Sequence, residues 1–352
     1  MSLFSKDRPA APSLPATQAT PAPALSDAPG APDAAFAAAL ALPPERLLAP
    51  ESPPTAAEAL AGEKVLAHFA LNHPGPASFP SISLRILELV RYPDVNLGEL
   101  SNYIRMAGAL AASLLSLANS AVYRGVKQID TVKDAVARIG LGEVAKLTAA
   151  ISTRSLYGAE ELSEFQRFAP LWRLLFFHAA TVARAASELS RQKIPAGPGP
   201  EQVFMGALLH DVGKSIALRS LAALEAAGKL APFGDDGAAR LLHQVHVPVG
   251  AEMQRAVWNL PSLFADVAAH HHDGAVGPGE TAATVHLVRL VSAFDLLRAE
   301  PSLHPAAPAE ILASARALAL SPARLALVGP ALDEAEDWVG LLFGGPASPA
   351  RG

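Results

Sequence analysis

From about residue 57 onward, apolar residues recur every three to four positions, and each run ends at proline or glycine. That spacing writes one apolar stripe after another on α-helices. The alternating pattern of a half-buried strand is nearly absent, so the chain reads as all-α. A first helix is expected from about Ala57 to Asn72, broken by His73-Pro74-Gly75-Pro76. A second opens at Pro80-Ser81, with Ile82, Ile86, Leu89 and Val90 on one face, and ends at Tyr92-Pro93-Asp94. The next segment carries Leu97, Leu100, Ile104, Leu110, Leu114 and Leu117 as one stripe. Thr131 has the chemistry of an N-cap for a helix bearing Ala135, Val136 and Ile139, which Gly140 stops.

The second half repeats this grammar. A long helix is expected over about Leu162 to Arg191, then a loop over Pro195 to Pro200. Phe204, Leu208 and Leu209 lie on a helix from about Glu201 that runs into His210-Asp211. Further helices cover Gly237 to Val245, Val249 to Trp258, Pro261 to His271 and Ala282 to Arg298, with two short ones in the last 50 residues. The first 60 residues differ: they hold 12 of the 31 prolines, interleaved with alanine. Pro21-Ala22-Pro23-Ala24 and Pro53-Pro54 cannot sit inside helices, so residues 1–56 read as a disordered Ala/Pro-rich tail acting as a tether, with one short alanine-rich helix over 33–42.

Composition excludes several classes. The 352 residues include no cysteine, so no disulfide framework exists and no oxidising compartment is implied. A net charge of −5, from 28 basic and 33 acidic side chains, gives no basic face for nucleic acid. No apolar run reaches the roughly 18 residues that a membrane span needs, and the first residues lack a signal-peptide pattern. A cytoplasmic protein with no membrane or nucleic-acid partner is the expectation.

Seven of the eleven histidines fall between residues 178 and 272. The adjacent pair His210-Asp211, at a helix end, offers an imidazole nitrogen and a carboxylate oxygen to one metal ion. Further ligands would come from other helices facing the same cavity: His178, His246, His271, His272 and Asp295. Histidine and aspartate with open water positions suit Fe, Mn, Zn or Mg. Two such ions can activate water and clamp a phosphate, and Lys214, one turn after His210, reaches toward an anionic oxygen. Each of these residues also has a plainer reading. Lys214 can be an ordinary ion-pair partner for Asp211, and His270, His271 and His272 can form one solvated helix end. His68, His243, His286 and His304 read as packed or surface residues, and His73 as part of a turn.

Gly206-Ala207-Leu208-Leu209-His210-Asp211-Val212-Gly213-Lys214 resembles the HD motif of the metal-dependent phosphohydrolase superfamily. Its pattern of a leading histidine, the His-Asp pair and a distal aspartate maps to His178, His210-Asp211 and Asp295. The surrounding motifs resemble the HDOD domain more specifically. These are Phe79-Pro80-Ser81-Ile82, the Leu110–Ala121 run around Asn119-Ser120, and Ile129–Gly140, followed by His246-Val247-Pro248-Val249-Gly250, Trp258-Asn259-Leu260-Pro261 and His271-His272-Asp273. The likeness covers roughly residues 65 to 300. It implies an N-terminal helical subdomain over 57–158, an HD-like subdomain over 159–300, and short C-terminal helices with a tail over 301–352. It also implies a bacterial signal-transduction scaffold that binds signalling proteins or a small signalling ligand, generally without catalysis. No receiver or kinase module is legible in the chain, so the input signal is expected from outside it.

The chain departs from the family pattern at three places. Ala107-Gly108 stands where the family often writes Asp-Pro. Trp172-Arg173-Leu174-Leu175 stands where it writes Trp-x-His-Ser, so the leading ligand is either His178, one turn later, or lost with Leu174 in its place. Residues 273–279 carry no Gly-Tyr-Pro, which disfavours cyclic-di-GMP hydrolysis. Two functions stay open on these residues. One is a binding module with a vestigial site, in which Asn119 satisfies a buried backbone group. The other is an HD-type hydrolase of a phosphodiester or phosphomonoester, with a divalent metal held by the seven residues named.

Overall fold

The computed structural model describes residues 55–73, 81–123, 125, 128–157, 167–194, 199–299 and 306–343. The expected tail, including the helix over 33–42, and His304 lie outside them. Among the described residues there are helices and no strand, and no helix is long and apolar enough to cross a membrane.

Helix α1 (Ala56–Asn72) starts where Thr55 accepts from the Glu58 amide at 3.2 Å and Glu58 accepts from the Thr55 amide at 2.8 Å. This reciprocal cap satisfies two amides that a helix start leaves unpaired. A first bundle follows: α2 (Ser81–Leu89), α3 (Leu97–Met106), α4 (Gly108–Asn119), α5 (Val132–Ile139) and α6 (Leu141–Tyr157). Its core gathers residues of the expected stripes, Ile86, Leu100, Ile104, Leu114 and Val136, with Leu147 of α6 added to them. The single stripe from Leu97 to Leu117 is two helices. Ala107 leaves helical geometry (φ −100°, ψ 78°), and Gly108 opens α4 with no side-chain cap. Thr131 does cap α5, accepting from the Asp134 amide at 3.1 Å, and Gly140 stops it with φ +84°.

Asn119, at the end of α4, holds the loop that leads to α5. Its amide donates to the carbonyls of Leu115 (3.0 Å) and Ile129 (2.7 Å), and its oxygen accepts from the Ile129 amide at 2.9 Å. Asn119→Ala removes all three bonds at a half-buried place, and the expected loss is about 1–2 kcal/mol. A urea unfolding curve checks this; a midpoint equal to wild type would show that water replaces the side chain at no cost.

The second bundle comprises α7 (Ala169–Arg191), α8 (Pro200–Leu209), α9 (Val212–Ala226), α10 (Asp235–Glu252), α11 (Ser262–His270) and α12 (Glu280–Ala299). It is completed by α13 (Ala307–Ala317), α14 (Pro322–Leu325) and α15 (Val328–Phe343). Although it precedes the first bundle in the chain, α1 packs on α9 and α10, with Ala61 and Val65 among Leu218, Leu221, Leu242 and Val245. The last helix, longer than expected, covers α7, and Phe343 meets Phe176 edge-on at 5.0 Å. The bundles are tied by Arg184 on α7, which donates to both oxygens of Glu143 on α6 at 2.7 and 2.8 Å.

Two helices were expected on either side of Pro248, and the structure has one. α10 runs through Pro248 and continues as a π-helical turn over Met253–Val257. A proline removes one intrahelical bond, but packing of this helix across α9, α11 and α1 holds its direction. The π turn aims Gln254 inward, where its amide donates to the Leu209 carbonyl at 3.0 Å, next to His210. Such turns recur at functional sites.

Candidate metal centre

The site forms where α8 ends and α9 begins. The His210 ring turns back on its own helix, and Nδ1 donates to the Ala207 carbonyl at 2.6 Å. Asp211 follows with φ −104° and ψ 8°, and helix α9 restarts at Val212. This break puts the imidazole of His210 and the carboxylate of Asp211 side by side in the core, at 1% and 0% exposure.

Asp211 stands between two groups of donors. Its Oδ2 lies 3.5 Å from Nε2 of both His178 and His210, and accepts from Lys214 Nζ at 2.5 Å. Its Oδ1 lies 3.2 Å from His246 Nε2 and 3.4 Å from His271 Nε2. His246 Nε2 is in turn 3.2 Å from Nε2 of both His271 and His272. Thus His178, His210 and Asp211 form one set, and Asp211, His246, His271 and His272 form the other. Within each set the donor atoms lie within 4.8 Å of one another.

The outer nitrogens fix the tautomers. His246 Nδ1 faces the carbonyls of Leu242 (3.1 Å) and His243 (2.8 Å), and His271 Nδ1 faces that of Ala268 (3.0 Å). A carbonyl only accepts, so these nitrogens carry the proton. His272 Nδ1 donates to Glu310 Oε1 at 2.9 Å, and His178 Nδ1 to Asp295 Oδ2 at 2.6 Å. In their neutral form all five rings therefore present Nε2 lone pairs inward. Ser292 Oγ, 3.1 Å from His210 Nε2 and 3.2 Å from His178 Nε2, has one proton for the two of them. In the second set no proton remains for His246, His271, His272 or Asp211 Oδ1, which has no hydrogen-bond donor.

Protonation does not resolve this crowding. Burial pushes His246 down to about 4, with the nearby Lys214 charge adding to it. Burial and the neighbouring histidines hold His272 far below its usual range, and burial lowers His210. Burial works to raise the Asp211 carboxyl, but Lys214 overrides it and keeps the group ionised. A negative oxygen and three imidazole nitrogens, buried except for the half-buried His272, meet with nothing positive between them. A divalent cation satisfies that arrangement, and outer-nitrogen bonds to carbonyl or carboxylate are the usual support for metal-ligating histidines. The residues present fit such an ion.

Of the residues named from sequence, His178, His210, Asp211, His246, His271 and His272 converge. Asp295 sits behind His178, on the ring nitrogen facing away from Asp211. Lys214 is the ion-pair partner of Asp211. The leading position goes to His178: Leu174 is 64% exposed, while Trp172 and Phe176 on the same helix are buried. Sequence reasoning missed Ser292, which lies one turn before Asp295 and was findable by that spacing. It also missed Glu310, for which no local pattern gives a signal. His243, set aside as bland, stands at the edge, its ring 4.7 Å from that of His272.

The fold is shared with solved structures. An HDOD domain protein of unknown function from Geobacter sulfurreducens is 23% identical, with a TM-score of 0.55 over 80% of this chain and 98% of its own. A candidate metal-dependent phosphohydrolase from Shewanella amazonensis SB2B is 17% identical, with a TM-score of 0.51 over 74% of this chain and 99% of its own. A candidate signal transduction protein from Marinobacter aquaeolei VT8 is 16% identical, with a TM-score of 0.52 over 81% and 66%. A curated relative, an uncharacterized protein of Treponema pallidum (strain Nichols), is 25% identical over 209 residues. That match spans 57% of this chain but only 38% of the relative's length. The description of the HDOD domain fits residues 77–274, more than half of the sequence, and the chain belongs to the HDOD family.

Proposed function

We propose that this chain is a regulatory binding module of the HDOD type, whose second bundle is locked around a divalent cation held by Asp211, His246, His271 and His272. Its output is recognition of a signalling protein or a small signalling ligand, without turnover. The observation that carries the metal reading is the gathering of ring nitrogens of His246, His271 and His272 with the Asp211 carboxylate, all within 4.8 Å of one another, where Asp211 Oδ1 has no donor. Four donors complete a tetrahedral set, the usual arrangement of a structural ion. Imidazole-rich donors favour Zn or Fe over Mn or Mg. The bound ion supplies the positive charge that these lone pairs lack. Burial of Asp211, His246 and His271 and the engagement of Asp211 Oδ2 by Lys214 both weigh against a reacting position beside them.

A second reading has its own support. His178, His210 and Asp211 make a three-donor set, and sets of three leave a position for water or substrate. The side chains on this flank, His178 and Asp295, are 10% and 14% exposed, so this edge of the centre also reaches toward solvent. Lys214 would meet an anionic oxygen there, as a phosphohydrolase needs. The Shewanella relative described in those terms belongs to the same fold. Cyclic-di-GMP is not favoured as its substrate, since residues 273–279 lack Gly-Tyr-Pro.

Elemental analysis of protein never exposed to chelator, paired with hydrolysis of bis(p-nitrophenyl) phosphate, tests the two. The expected result is about one ion per chain and no hydrolysis above that of Asp211→Asn. A metal-free chain overturns the centre. Hydrolysis that disappears in the Asp211 variant overturns the binding-module reading in favour of the enzyme.

A further inference from the structure

Glu310 stands 36 residues beyond the HDOD match, on α13, yet its carboxylate reaches the centre. Oε1 accepts from His272 Nδ1 at 2.9 Å, with both side chains largely buried, at 13% and 22% exposure. The other two histidines of the four-donor set have their outer nitrogens tied to carbonyls of their own helices. His272 differs: it lies in the turn after α11, and its orienting partner comes from an element 38 residues away.

We propose that Glu310 is a positioning residue for the cation centre, fixing His272 so that Nε2 faces the ion, and that it thereby couples ion binding to the docking of the C-terminal helix α13. This inference rests on the metal reading above. A carboxylate behind an imidazole does more than orient it: its charge raises the basicity of the inward nitrogen and so strengthens the metal bond. Arg289 on α12 also lies within electrostatic reach of Glu310 and Asp273. The physical consequence runs both ways. Whatever holds α13 against α12 sharpens the centre, and an ion in the centre pulls α13 in through His272. A segment outside the matched domain is thus built into the domain's polar core.

Co(II) alone is the probe, titrated into chelated full-length protein and followed by its visible d–d absorption. Glu310→Ala removes both the acceptor and the charge, and affinity is expected to fall about 10–100-fold. Glu310→Gln keeps an acceptor oxygen but loses the charge, so its affinity should lie between that of wild type and Glu310→Ala. The metal-free proteins should unfold alike, which a merely structural role would not combine with graded ion affinity. Hydrogen exchange adds a second readout: Co(II) should slow exchange across residues 307–317 in wild type and much less in Glu310→Gln. Wild-type protein that takes up no Co(II) overturns the centre and this inference with it. Wild-type protein that binds while a folded Glu310→Gln binds equally, with equal protection of α13, overturns the inference alone. If Glu310→Ala does not fold, the near-isosteric Gln variant decides.

Discussion

Asp211→Asn is expected to strip the chain of its divalent ion while leaving its helices in place. Asparagine has the shape of aspartate, so the break between α8 and α9 survives and the far-ultraviolet circular dichroism should match wild type. What disappears is the one negative charge shared by both donor sets. The amide is a poor ligand, and its nitrogen offers protons to the very Nε2 atoms that would bind a cation. The same change leaves Lys214, 5% exposed, without a counter-charge in the core. Breaking a buried pair from one side costs about 3–5 kcal/mol, and loss of the bound ion removes its own linkage term. The double variant Asp211→Asn, Lys214→Met separates these contributions. Removing both charges should recover most of the stability lost by the single variant under chelator, yet bind no ion. Elemental analysis and urea unfolding read the two outcomes independently. An Asp211→Asn protein with wild-type ion content would sink the proposed centre, and a double variant no more stable than the single one would mean that the unpaired lysine is not the cause.

The helices were legible because each announces its inward face through apolar spacing, and its ends through residues such as Thr131 and Gly140. Two features resisted. The run from Leu97 to Leu117 keeps its stripe in phase across Ala107, so periodicity alone does not reveal the break. Pro248 carries a strong local stop signal that tertiary packing overrides. The site divides in the same way. His210-Asp211, His246 and His271-His272 are visible as motifs. Choosing between Leu174 and His178 needs more than the helix's rotation, since four residues advance the side chain by about one turn and only some 40° around the axis. So small a rotation does not separate the two: position along α7 does, since His178 meets Ser292 and Asp295 on α12 while Leu174, one turn earlier, is exposed. Ser292 shares the face of Asp295 by spacing, whereas Glu310 acts on an outer nitrogen, where chain topology and not spacing decides who is near.

Topology brings His246 to Asp211 through a contact that a sequence motif does not reveal. Gly213, two residues after Asp211, lies against the backbone of α10. A Cβ at this position would stand 2.0 Å from the His246 carbonyl oxygen and 2.7 Å from the Gly250 nitrogen. Neither obstacle is a flexible side chain, so an added methyl group must push the two helices apart. Elsewhere in an exposed helix, alanine for glycine gains about 1 kcal/mol from propensity. At Gly213 the sign reverses, and Gly213→Ala is expected to cost about 3 kcal/mol or more, at the upper end of overpacking effects. Gly250→Ala should be milder, because its Cβ would meet Gly213 atoms at 3.2 and 3.3 Å and a small shift relieves it. The separation that accommodates the methyl group also draws His246 Nε2 from Asp211 Oδ1, now 3.2 Å apart. Gly213→Ala should therefore lose Co(II) affinity as well as stability, whereas Asn119→Ala, remote from the centre, should lose stability alone. Denaturation curves and Co(II) titrations on the three variants check that ordering. A Gly213→Ala protein as stable as wild type would mean that α9 and α10 do not approach at this point, and the closeness of His246 to Asp211 would then need another cause.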